Sequence, residues 1–152
     1  MHIIHLTDPD ARRRALRTVL ESLPEWFGIP ESREAYIREG AAQTCIACMA
    51  DDALVGCLCL KPTSPHTLEI AMMGVLPAFH RQGAGRRMFQ AALDFARAQD
   101  YAFLQVKTVQ HGRYPCYNAT NRFYRRMGFL ELEVFPTLWD EGNPCQVYVR
   151  AV

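Results

Sequence analysis

Apolar residues alternate with polar ones in some runs of this chain and recur every three to four residues in others, and the order of these patterns predicts the elements. Residues 2–6 read as a short strand. Asp8-Pro9 then opens a helix carried to about Leu23, with Asp8 as N-cap and Pro9 at the first helical position. Pro24–Pro30, rich in aromatic and turn residues, predicts a loop, and Ser32 predicts the cap of a second short helix ending about Glu39. Residues 43–50 and 54–61 predict a hairpin around Asp51-Asp52, followed by a strand over 67–76. A helix over 83–99, a strand over 101–109, a helix over 117–127 and strands over 129–135 and 145–151 complete the chain. The class is α+β, with antiparallel strands first and βαβ units afterwards.

Two of these elements carry further detail. In the helix over 83–99, Met88, Phe89, Ala92, Leu93 and Ala96 form a stripe that packs on a sheet. In the strand over 67–76, Leu68, Ile70 and Met72 share one face before the apolar phase moves to Met73 and Val75. Such a shift is what a β-bulge produces.

The bulk numbers exclude several classes. A length of 152 residues suits one domain, residues 1–152. With 49% hydrophobic and 22% charged residues, the chain is no disordered polymer. Seventeen basic against sixteen acidic side chains, net +1, predict no nucleic-acid surface, so any functional positive charge is local. No apolar run reaches 18 residues, so no membrane contact is expected. The N-terminus, with Asp8 and the arginines 12–14, is no secretory signal, and a cytoplasmic location is expected. There the six cysteines would be thiols. Cys45 and Cys48 have C-x-x-C spacing, with Cys57 and Cys59 just beyond, but residues three apart on a strand point to opposite faces. No metal site is therefore predicted, and the cysteines read as small buried hydrophobes.

The informative junction is Met72–Arg87: a strand end, a short turn, Gly83 and Gly85, and the first turn of an amphipathic helix. The first N–H groups of a helix lack internal partners and lie at the positive end of its dipole. Glycines there let a phosphate approach the amides, and Arg81, Arg86 and Arg87 add charge. A diphosphate is the natural ligand. The stretch is neither a dinucleotide fingerprint, for want of a third glycine, nor a P-loop, for want of Gly-Lys-Ser/Thr.

Gly74-Val-Leu-Pro-Ala-Phe-His-Arg-Gln-Gly-Ala-Gly-Arg86 resembles motif A of the GNAT superfamily of N-acetyltransferases, whose core is Q/R-x-x-G-x-G/A. About 40 residues on, Asn121-Arg-Phe-Tyr-Arg-Arg-Met-Gly-Phe129 resembles motif B, with its F-Y-x-x-x-G-F ending. With the element order, the resemblance covers residues 2–151. It implies a central, mostly antiparallel β-sheet, splayed between the motif A strand and the next and flanked by helices. It also implies acetyl-CoA as co-substrate. The pantetheine arm would pair with backbone near Met73 and Val75, and the cofactor's phosphates would meet His80, Arg81, Gln82, Gly83, Ala84, Gly85, Arg86 and Arg87. Two positions depart from the family pattern. His80 stands at the Q/R position, and Tyr117 stands where motif B commonly has Asn, with Asn118 one residue off.

Acetyl transfer in this superfamily is direct attack of an amine on the thioester, which needs a base for the ammonium and an acid for the leaving thiolate. Tyr124 matches the motif B tyrosine used as the acid, on a helical face with Tyr117 and Asn121. Glu69, five residues before Gly74 and sharing its face with Ala71 and Met73, is the candidate base. A carboxylate among apolar neighbours would titrate high, as a base requires. His66 and His111 are weaker candidates, and a Cys116 nucleophile is disfavoured for want of a base in fixed relation to it. Trp26, Phe27, Tyr36 and Trp139, with Asp140 and Glu141, would shape the acceptor pocket, since aromatic walls and carboxylates suit a cationic amine. The expected acceptor is the primary amine of a small molecule, and a homodimer is compatible with this reading. A protein N-terminus or lysine as acceptor, and a non-catalytic CoA-binding sensor, stay open as alternatives.

Overall fold

The computed structural model describes residues 1–152. Its elements, in chain order, are β1 (His2–Leu6), α1 (Pro9–Glu21), α2 (Pro30–Gly40), β2 (Thr44–Ala50), β3 (Ala53–Pro62) and β4 (Thr67–Val75). A single 3-10 turn, Pro77–Phe79, leads to α3 (Ala84–Ala98), β5 (Phe103–Val109), α4 (Pro115–Arg126), β6 (Leu130–Asp140) and β7 (Asn143–Ala151). The strands form one seven-stranded sheet in the order β1-β2-β3-β4-β5-β7-β6. The pairs β1/β2, β2/β3, β5/β7 and β6/β7 are antiparallel. This is the mixed α+β, mostly antiparallel sheet flanked by helices that the sequence predicts. No helix is long and apolar enough to cross a membrane.

By contacts the chain divides into two units, residues 1–61 with 70–95, and residues 62–69 with 96–152. In the first unit Asp8 caps α1, its carboxylate accepting from the Ala11 amide at 2.9 Å. The helix buries Ala15, Leu16, Val19 and Leu20 against Ile37, Cys45, Cys57, Cys59 and Met72. Arg12 ties the ends of β1 and α2 together, donating to the Leu6 carbonyl at 2.7 Å and the Ala41 carbonyl at 3.0 Å. Two glycines set the closeness of packing. A Cβ on Gly56 would stand 2.5 Å from the Gly74 carbonyl oxygen, and one on Gly74 2.6 Å from Val19. The predicted stripe of α3 is buried throughout, from Met88 and Phe89 through Ala92 and Leu93 to Ala96.

Two local expectations are corrected. Ser32 is not the cap of α2, which begins at Pro30 with Ile29 at the N-cap position and no side-chain cap bond. Proline needs no N–H partner at a helix start and already holds the helical φ, so it opens the helix earlier. Nor does the phase of β4 shift in burial: Leu68, Ile70, Met72 and Gly74 are buried, while Met73 and Val75 are half-buried. Gly74 occupies the inward position without a side chain, so the apolar pattern skips to its neighbours.

In the second unit β7 lies between β5 and β6, in register from Phe103–Ala151 to Val109–Cys145. Cys145, Val147 and Tyr148 of β7 are buried, while β6 exposes Leu130, Leu132, Leu138 and Trp139. α4 starts two residues earlier than predicted, again because a proline, Pro115, takes its first turn.

Candidate active site

The glycine turn between β4 and α3 forms in the first unit. Beyond β4 the chain turns through Arg81 at φ +60° and Gly83 at φ +86°, both left-handed, and enters α3 at Ala84. Non-glycine residues at such φ are uncommon. The first long-range helical bond runs from the Arg87 amide to the Gly83 carbonyl at 3.1 Å, leaving the preceding amides without partners inside the helix. Nothing lies within 4 Å of a Cβ built on Gly83. Ala84 is buried and anchors the turn, whereas Arg81, Gln82, Gly83, Arg86 and Arg87 are exposed. No acidic residue stands in the first turn of α3. The turn therefore joins open amides, a positive helix end and three guanidinium groups, which fits a diphosphate.

Two side chains expected at the cofactor bond within the turn. His80 reaches back to the Val75 carbonyl at 2.7 Å through Nε2, and Gln82 donates to the Ala78 carbonyl at 2.9 Å. His80 also meets the edge of Trp26, ring centroids 6.2 Å apart and planes at 89°. The replacement of the usual Q/R thus has a local use: a ring bridging the strand end and the loop before α2.

In the second unit Glu69 is buried at 3% exposure, but its surroundings differ from those expected. Rather than apolar neighbours alone, its Oε1 accepts from Lys107 Nζ at 3.1 Å and from Gln105 Nε2 at 3.1 Å. Both donors come from β5, at positions facing the same side. Cys145 lies close enough to feel both charges, and burial pushes its thiol up to about 11. Glu69 is thus a buried carboxylate paired with a partly exposed lysine. Lys107 and Gln105 had no signal in the sequence, because the pairing brings together residues 36 and more positions apart.

Tyr124 is 6% exposed, its ring packed against Phe123, Phe129 and Tyr148 at centroid distances of 5.4, 5.6 and 6.3 Å. Of the predicted face, Asn121 and Tyr124 are buried, while Tyr117 is half-buried and packs on Tyr114 at 6.1 Å. Asn121 donates to the Val109 carbonyl at 2.8 Å and accepts from the Tyr148 hydroxyl at 2.6 Å. Asn118 points elsewhere, as expected, and takes the Gly112 amide at 2.6 Å.

The residues assigned to the acceptor divide. Trp26, Phe27 and Tyr36 are half-buried against the core of the first unit, and Phe27 meets Tyr36 edge-on at 5.6 Å. Trp139 is 43% exposed on β6. Asp140 holds the Asn143 amide at 2.9 Å, closing the β6–β7 turn.

Cys45 and Cys48 diverge as predicted. Register instead sets Cys45 opposite Cys59 and brings Cys57 to the same side, so three buried thiols share hydrogen bonds. Those bonds pull Cys45 down and hold Cys57 and Cys59 up, with burial adding to the rise. No group of three or more His, Cys, Asp or Glu side chains is disposed to hold a metal ion.

Residues 13–129 match the model of the acetyltransferase (GNAT) family. Over 93 residues the chain is 30% identical to N-alpha-acetyltransferase RimI of Mycobacterium tuberculosis, a match spanning 56% of each protein. Among solved structures, a GNAT-family protein from Desulfovibrio desulfuricans is 21% identical, with a TM-score of 0.83 over 99% of this chain and 98% of that one. An aminoglycoside 6'-N-acetyltransferase complexed with coenzyme A is 16% identical, with a TM-score of 0.76 over 99% and 97%. At these identities the structural likeness is one of fold. The family match, by contrast, runs through the glycine turn ahead of α3 and the Tyr124 helix alike: this chain belongs to the acetyltransferase (GNAT) family.

Proposed function

We propose that the protein transfers the acetyl group of acetyl-CoA to the primary amine of a small molecule. The observation that carries the reading is the turn at residues 81–87, where a left-handed Gly83 with open space beside it leads into a helix start flanked by three exposed arginines. The CoA diphosphate lies on the amides of Gln82 through Arg87, and the backbone near Met73 and Val75 takes the pantetheine arm. Glu69 accepts a proton from the acceptor ammonium. The amine nitrogen bonds to the thioester carbonyl carbon, the carbon–sulfur bond breaks, and Tyr124 gives its proton to the departing thiolate. Six free cysteines support a reducing, cytoplasmic setting.

A second reading takes a peptide α-amine as acceptor, and the likeness to RimI favours it. One experiment tests both: thiol release from acetyl-CoA, measured across a panel of small amines and of short peptides with free N-termini. Turnover confined to small amines supports the first reading, and turnover confined to peptides the second. No release from any of them, with acetyl-CoA still bound, would favour a CoA-binding sensor.

A further inference from the structure

Asn121 lies on the inner face of α4, three residues before Tyr124, with no exposed surface. Asparagine is a poor residue for a helix interior, and a buried amide is costly unless its hydrogen bonds are made. Here they are made. The Asn121 amide donates to the Val109 carbonyl at 2.8 Å and the Tyr117 carbonyl at 2.7 Å, and Oδ1 accepts from the Tyr148 hydroxyl at 2.6 Å.

Tyr148, on β7, is equally buried, and burial raises its hydroxyl above the ordinary range, so it stays a proton donor. Arg125 hydrogen-bonds the same hydroxyl and pairs with Glu131 of β6 at 2.7 Å. The contacts run from β6 through α4 and β7 to the last residue of β5. Against this assembly lies the Tyr124 ring, 6.3 Å from that of Tyr148 with the planes at 37°.

Apolar side chains of equal volume would fill this space without any bonds to satisfy. A fully bonded polar pair instead fixes one geometry, because hydrogen bonds are directional where apolar contacts let rings slide. We propose that Asn121 and Tyr148 are positioning residues for acetyl transfer, which hold the Tyr124 ring at the depth and angle from which its hydroxyl serves the leaving thiolate. The proposal rests on the reading of Tyr124 as the acid.

The test is steady-state kinetics on the full chain with acetyl-CoA and the best amine of the panel. Wild type is compared with Tyr148→Phe, Asn121→Leu, Tyr124→Phe and the double variant Tyr124→Phe/Tyr148→Phe. Misplacing a reacting group by about an ångström costs up to about a hundredfold, so kcat in Tyr148→Phe should fall about tenfold or more. The KM for acetyl-CoA should stay within about twofold, since the cofactor's own contacts are untouched. In the Tyr124→Phe background, Tyr148→Phe should cost nothing further, because it acts through the group already removed. Tyr148→Phe deletes one oxygen and carries the test alone if Asn121→Leu does not fold. Wild-type kcat in Tyr148→Phe, or a loss that multiplies with that of Tyr124→Phe, overturns the positioning role while leaving the acid in place. Full activity in Tyr124→Phe overturns acid and positioning together. An inactive wild type ends both along with the transferase reading.

Discussion

The Lys107 ammonium lies 3.1 Å from Oε1 of Glu69, whose side chain is only 4% exposed. That pairing fixes the carboxylate proposed as the base at one position on the sheet. Glu69→Gln keeps the shape and the contact with Gln105 but removes the proton-accepting charge. Base catalysis contributes about 100- to 10,000-fold, so kcat/KM should fall by at least about a hundredfold. Lys107 is a third exposed and can hydrate its head group, so the stability change should stay within about 1 kcal/mol. Initial rates and urea unfolding check both. Undiminished turnover would assign the proton to solvent or to another group.

Gly83→Glu should abolish acetyl-CoA binding in calorimetry, because it sets a carboxylate where the proposed site takes the diphosphate. Gly83→Ala separates the causes. Its Cβ meets nothing within 4 Å, so its cost is the left-handed φ alone, about 1–2 kcal/mol of stability, with binding largely kept. Equal affinity in wild type and Gly83→Glu would remove the ligand from this turn.

Tyr124→Phe should lower kcat at least about tenfold while CoA affinity moves little. Its ring contacts with Phe129 and Tyr148 survive, so the melting temperature should stay near wild type. The loss should shrink with acetyl thioesters of more acidic thiols, which leave with less help.

Stability should fall on the alkaline side. Burial holds the Cys145 thiol at about 11, with Lys107 lowering and Glu69 raising it, against about 8.5 for an unfolded cysteine. Below about 8.5 both states keep the proton and stability is complete. Between there and about 11 only the folded state keeps it, so stability drops with pH, by about 3 kcal/mol from this group. Urea midpoints at about pH 8 and 10.5 measure the slope, and Cys145→Ala should make it shallower, with Cys57 and Cys59 contributing to what is left. An unchanged slope would show that Cys145 does not carry the effect.

Much of this molecule was legible from local pattern. The Asp8 cap, the α3 stripe and the glycine turn each lie within one element or junction, where spacing alone fixes which side chains meet. What was not legible depends on strands that neighbour each other across the fold. Lys107 reaches Glu69, and Cys45 meets Cys59, only because of strand order and register. The pairing of Asn121 with Tyr148 spans 27 positions. One hint was present: an asparagine amid the buried face of an amphipathic helix needs partners, though the sequence does not say which. The same distance effect explains the aromatics. Phe27 and Tyr36 read as pocket walls, and the sequence alone does not say that they also meet edge-on over the core of the first unit.

The glycines of this chain would part company in a saturation-mutagenesis library. Alanine at position 56 would drive a methyl group into the Gly74 carbonyl, and alanine at 74 into Val19 and Leu23. Overpacking of that kind costs about 1–3 kcal/mol, and at Gly56 the obstacle is backbone, which has little room to yield. A screen that reads only cellular abundance would therefore deplete both positions. Acidic replacements at Gly83 would lose abundance only as far as alanine there does, through the left-handed φ, and would fall further when survival depends on activity. Subtracting one map from the other would sort glycines that let strands and helices close up from the glycine proposed to keep a place open for the ligand.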